Sequence, residues 1–139
     1  MDFTFEKVDD LLVISVNIKK ATFFELSAFN ELLKYHLTKN ILNFIVDLSY
    51  CEYIDSVFLS GIISLLRIAS IRGGNMKVVK PQNDFKEIFS DVKAFRAFDF
   101  CVSKESAIRE LKGGLKITLY QENTGKTYNS YSNFRLIQK

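Results

Sequence analysis

A carboxylate and a hydroxyl stand side by side at Asp55-Ser56, inside the stretch Cys51–Gly61, CEYIDSVFLSG. Such a pair can do two kinds of chemistry. Both side chains can accept hydrogen bonds from the free amides that open a helix. A hydroxyl can also take up a phosphoryl group, which adds about −1.5 to −2 charges. Other chemically suggestive residues are sparser. Gly125-Lys126-Thr127 resembles the end of a phosphate-binding loop, but Tyr120 stands where that motif needs its first Gly. A helix must also follow such a loop, and Asn129–Asn133 is turn-like. His36, the single histidine, has no nucleophile or second ligand near it in sequence. Cys51 and Cys101 are far apart, match no metal or redox spacing, and read as reduced core thiols. No enzyme mechanism, metal site or cofactor is indicated, and a small-molecule or nucleotide sensor has no motif to support it.

The elements around Asp55-Ser56 must fit in 139 residues, enough for one domain with a real core. The 47% hydrophobic and 25% charged content is that of a soluble globular protein. The start of the chain is acidic and lacks the basic and apolar regions of a signal peptide. The longest nearly apolar run, Val57–Leu66, falls far short of the ~20 residues of a membrane span. These features, with reduced thiols, point to the cytoplasm. The net charge of +3 is uneven, because five basic residues and one acid lie from Lys112 onward. No dense basic cluster or interleaved aromatic pattern suggests nucleic-acid binding.

Phe3–Val8 alternates as a strand, Asp9-Asp10 turns the chain, and Leu11–Ile18 reads as a buried strand. Thr22 to Glu25 fits a capping box. The helix it opens carries Leu26, Phe29, Leu33 and Leu37 on one face with Leu32 alongside, and ends near Lys39-Asn40, with His36 in its last turn. Ile41–Leu48 is a strand buried on both faces, the mark of a parallel sheet. Val57–Arg72 is a helix, stopped by Gly73-Gly74. Met76–Val79 is a strand closed by Pro81. Asn83 can cap a short helix through Val92, Phe98–Val102 is a short strand, and Ser103 caps a helix over Lys104–Leu111 ended by Gly113-Gly114. The order implies an α/β fold: a mixed β-sheet packed with about four helices, its first two strands antiparallel. Leu115, Ile117 and Leu119 alternate with polar residues, and Tyr128–Ile137 can return as a second strand. Residues 113–139 therefore read as an appended C-terminal β-hairpin after a main domain over 1–112.

This order places Ser56 at a helix cap, where its oxygen contributes about 1 kcal/mol, and sets Asp55 beside the positive end of the helix dipole. That structural role accounts for both residues. The same geometry also shows the hydroxyl to solvent. Phosphate there is tolerated by the helix dipole while making a strongly negative spot, so a docked partner is expelled with little change in fold.

The segment Phe44–Pro81, FIVDLSYCEYIDSVFLSGIISLLRIASIRGGNMKVVKP, resembles the core of STAS domains, the family of bacterial anti-sigma-factor antagonists. Asp47-Leu48, Ile54-Asp55-Ser56, Gly73-Gly74 and Met76–Val79 fall in the family's order and spacing. The likeness extends from Phe3 to Leu111 and includes the late helix ending in ESAIREL. The resemblance implies a phosphorylation switch. Ser56 is the acceptor, modified by a partner that is both serine kinase and anti-sigma factor, and a phosphatase resets it. The unphosphorylated form binds that partner and releases sigma.

Two features depart from the family pattern. Phe58 and Ser60 stand where the family has Gly, although Gly61 follows. The loop Lys19-Lys20-Ala21-Thr22 lacks the acid that supports partner binding in typical antagonists. The expectation is a cytoplasmic regulatory protein whose contact face includes Lys19, Lys20, Thr22, Asp55, Ser56, Phe58, Leu59 and Ser60. The alternative is a degenerate STAS module that binds its partner constitutively through Phe58 and the C-terminal hairpin.

Overall fold

The computed structural model describes residues 2–81 and 97–112 in full and the backbone of 113–120. The chain forms two compact units, Met1–Lys104 and Glu105–Lys139. The first opens with β1 (Phe3–Val8) and β2 (Leu11–Val16), paired antiparallel with Phe3 opposite Val16 and Val8 opposite Leu11. The turn between them is short enough to need a left-handed residue, and Asp9 supplies it at φ 57°; Asp tolerates that region better than most side chains. Next come β3 (Lys20–Ala21), α1 (Phe23–His36), β4 (Asn43–Asp47), β5 (Tyr53–Ile54), α2 (Ser56–Ile71), β6 (Met76–Val79) and β7 (Phe100–Cys101).

The main sheet has the order β1-β2-β4-β6-β7. All its pairs beyond the first are parallel, so the sheet is mixed as the sequence implied. β4 sits in the centre, and Phe44, Ile45 and Val46 are all fully buried, which explains its unbroken apolar run. Leu12, Ile14, Phe44, Val46 and Val78 form one core cluster with Phe29 and Leu33 of α1 and Phe58, Ile62 and Leu65 of α2. Each such side chain contributes roughly 1.5–3 kcal/mol by leaving water.

The joints of this frame are backbone-specific. Gly73 ends α2 with φ 79°. Gly74 is needed for a different reason: a Cβ there would lie 1.7 Å from the Leu42 carbonyl oxygen. Arg72 caps α2, and its Nη1 donates to the carbonyls of Thr38 and Ile41, 2.9 and 2.7 Å away. That tie fastens the α1–β4 connection. α1 itself stops at His36, short of Lys39-Asn40, and His36 stacks on Phe5 with ring centroids 4.6 Å apart.

The last described helix, α3 (Lys104–Tyr120), whose residues from Glu105 onward belong to the second unit, continues through Gly113-Gly114. This corrects the expected stop and the first strand of the expected hairpin. Two glycines cost a helix about 2 kcal/mol together, which neighbouring helix formers can offset. Leu111, Leu115 and Leu119 also recur every fourth residue, so the leucines that suggested alternation fit a helical period equally well. Three helices are thus present among the described residues. The expected Asn83–Val92 helix and Tyr128–Ile137 strand lie outside them.

Candidate functional site

The short parallel pair β3–β5 determines the geometry around Ser56. Lys20 is in register with Tyr53 and Ala21 with Ile54. The Lys19 carbonyl accepts from the amides of Glu52 and Tyr53, and the Ala21 carbonyl accepts from Asp55 N at 3.0 Å. Since Thr22 directly follows β3 and Asp55 directly follows β5, the pairing sets the N-termini of α1 and α2 side by side.

Each start is then capped. At α1, Thr22 and Glu25 complete the capping box: Thr22 Oγ1 accepts from Phe24 N at 3.3 Å, and Glu25 Oε1 accepts from Thr22 N at 2.9 Å. At α2 the cap is Asp55, with Oδ1 accepting from Phe58 N at 2.8 Å. This corrects the expectation that Ser56 caps the helix; Ser56 is its first residue. Asp and Ser are near-equal caps, so a sequence offering both leaves the choice to what else each can reach. Here Asp55 Oδ2 also accepts from Phe23 N at 2.9 Å, across to α1. One carboxylate therefore holds the first turns of both helices. Ser56 is left exposed, and among the described residues its hydroxyl has no hydrogen-bond partner.

The other expected contact residues divide. Lys19, Lys20 and Ser60 are exposed, with Ser60 Oγ donating to the Val57 carbonyl at 2.6 Å. Lys19 Nζ lies 3.9 Å from Glu52, an exposed pair worth little in water. Thr22 is half-buried and occupied by the capping box. Phe58 and Leu59 are buried, which removes them from the expected contact face. Phe58 packs against Phe29 and Phe3, with centroids 5.2 and 6.2 Å away. In the first turn of α2 the second and third residues after Ser56 turn inward, and an aromatic ring there gains most by joining the core.

Four exposed apolar residues were missed. Phe23 and Phe24 stand at 56% and 76% exposure with centroids 4.1 Å apart, and Tyr53 and Val57 are also exposed. The signal was present: neither phenylalanine belongs to the Leu26–Phe29–Leu33 face of α1. Cys51, in the β4–β5 connection, is no nucleophile. Burial, helped by the Asp47 carboxylate, pushes its thiol up to about 12. Among the described residues no cluster of His, Cys, Asp and Glu could hold a metal ion, and no helix is long and apolar enough to cross a membrane.

With this geometry in hand, the likeness to known proteins is specific. A family model, STAS domain, matches residues 3–107. The fold superposes on a candidate anti-sigma-factor antagonist of Thermotoga maritima with a TM-score of 0.68, 24% identity, and coverage of 79% of this chain and 94% of that one. The anti-sigma-factor antagonist SpoIIAA in its unphosphorylated form gives 0.66, 14%, 80% and 96% in the same order. The Bacillus cell fate determinant SpoIIAA in its phosphorylated form gives 0.59, 13%, 78% and 97%. No curated protein sequence matches the chain.

Proposed function

Because the chain belongs to the STAS domain family, we propose that it is a regulatory protein-binding module of the anti-sigma-factor-antagonist type, switched by phosphorylation of Ser56. The observation that carries this reading is the exposed Ser56 hydroxyl at the start of α2, next to a carboxylate already committed to capping. Because Ser56 does not cap the helix, its modification removes no existing support. The partner is a serine kinase that is also an anti-sigma factor. It transfers the terminal phosphoryl group of a nucleoside triphosphate to Ser56 Oγ, forming one P–O bond, breaking another, and releasing the nucleoside diphosphate and a proton. A phosphatase hydrolyses the ester and resets the switch. The protein acts by binding in the bacterial cytoplasm, and it is not itself an enzyme.

The contact face of this reading is Lys19, Lys20, Thr22, Asp55, Ser56 and Ser60, joined by the exposed Phe23, Phe24, Tyr53 and Val57. The phosphorylated and unphosphorylated relatives share the fold, which agrees with a switch that adds charge to a standing frame. The test is incubation with the serine-kinase-type regulators of the same organism and nucleoside triphosphate, with phosphate located by mass spectrometry. Modification at Ser56 and weakened binding of Ser56→Asp are expected. No modification by any of them, together with unchanged binding of Ser56→Asp, removes the switch and leaves a constitutive binder.

A further inference from the structure

Asp55 does more than cap the helix that carries the candidate phosphorylation site. Its two oxygens are divided between two elements: Oδ1 accepts from Phe58 N of α2 at 2.8 Å and Oδ2 from Phe23 N of α1 at 2.9 Å. Phe23 begins the exposed Phe23–Phe24 pair, the most apolar surface at this end of α1. Thr22, one residue earlier, is held independently through Glu25.

We propose that Asp55 relays the charge state of Ser56 to the Phe23–Phe24 end of α1, so that phosphate on Ser56 acts at two places on the surface at once. The inference deepens the reading of Ser56 as the modified residue and rests on it. A phosphoserine at the first position of α2 carries about −1.5 to −2 charges and three acceptor oxygens. Those oxygens compete for the amides at the start of α2 that Asp55 now serves. The phosphate also stands one residue from the Asp55 carboxylate, and like charges so close repel. Both effects act against the present Asp55 position. The hydrogen bond to Phe23 N is the more vulnerable of its two bonds, because it crosses between elements and lies at the exposed surface. When it is lost, the first amide of α1 opens to water and the aromatic pair loses its tether, while the Thr22–Glu25 capping box keeps the helix formed.

The experiment places phosphoserine at position 56 by genetic incorporation, so it needs no kinase. Its failure is therefore distinct from failure of the kinase assay. Amide exchange with water is measured by nuclear magnetic resonance at Thr22 and Phe23, in the native sequence and in Asp55→Asn, each with serine or phosphoserine at 56. The relay predicts exchange at Phe23 roughly tenfold faster with phosphoserine, as loss of one charge-assisted hydrogen bond implies, and an unchanged rate at Thr22. In Asp55→Asn, phosphoserine adds no further acceleration at Phe23, because the neutral amide is not repelled. An unchanged Phe23 rate in the native sequence overturns the proposal. So does the same acceleration with and without the Asp55 carboxylate, or equal acceleration at Thr22 and Phe23. If Asp55→Asn does not fold, the contrast between Thr22 and Phe23 in the native sequence decides by itself.

Discussion

Phe58 and Phe29 face each other where α2 meets α1, with ring centroids 5.2 Å apart and planes inclined by 52°. Both are fully buried, and Phe3 closes the triangle, with its ring centroid 6.2 Å from Phe58 and 5.2 Å from Phe29. The residue that departs most from the family pattern has thus become part of the core. Phe58→Ala should lower stability by about 3–5 kcal/mol. Chemical denaturation followed by circular dichroism measures this directly. A loss under about 1 kcal/mol would show that the ring is not buried as described. Loss of partner binding in Phe58→Asp is then expected from unfolding, and reports nothing about an interface.

Asp55 and Ser56 should separate cleanly in their effects on stability. Asp55→Ala leaves Phe58 N and Phe23 N without their acceptor and should cost about 1–2 kcal/mol, toward the high end for a cap because two helices share it. Ser56→Ala removes an exposed hydroxyl outside the cap and should change stability by less than about 0.5 kcal/mol. Urea titrations of the two variants compare them on one scale. Equal losses would return the cap to Ser56.

The glycines offer a third contrast. A Cβ on Gly74 would fall 1.7 Å from the Leu42 carbonyl oxygen, which is backbone and can move only with the α1–β4 connection. Gly74→Ala should cost about 3 kcal/mol or more. A Cβ on Gly61 would meet Leu26 Cδ1 at 2.6 Å, the tip of a flexible, half-buried side chain. Gly61→Ala also gains about 1 kcal/mol of helix propensity, so its net effect should stay within about 1 kcal/mol of zero. Denaturation midpoints of the two variants test the ranking, and the reverse order would contradict it.

What could be read from the sequence follows from how local each signal is. The β1–β2 hairpin, the capping box and the buried run of β4 are written in consecutive residues, and all three stand in the structure. The identity of the α2 cap was not legible, because the deciding bond comes from Phe23, which is distant in sequence and brought near by β3–β5. Those two-residue strands carry no periodicity to detect. The inward turn of Phe58 was likewise hidden by a helix apolar nearly all round, whose buried side is set by the sheet beneath it. Ser56 is exposed, but it lies one residue inside the cap that Asp55 makes.

Cys51 gives the pH-dependent prediction. The thiol is buried beside β2, with Sγ 3.9 Å from the Val16 carbonyl oxygen, and burial followed by the Asp47 carboxylate raises its pKa from 9.0 to about 12. In the folded protein the thiol keeps its proton between these values, whereas in the unfolded chain it loses it. The folded state then binds more protons, so stability falls as pH rises. The contribution is fully present below pH 9, and it is lost as pH climbs through the folded value near 12. Within that window the slope from this one group is about 1.4 kcal/mol per pH unit. Cys51→Ala removes this source of slope, although the smaller side chain lowers stability at neutral pH. Denaturant midpoints of the two proteins, measured from pH 8 to 10.5, should therefore converge as pH rises. Parallel curves would mean that the thiol ionises as easily folded as unfolded. The same burial predicts that a thiol reagent at pH 7.5 labels Cys51 only after denaturant is added, and rapid labelling of the native protein at that residue would contradict it.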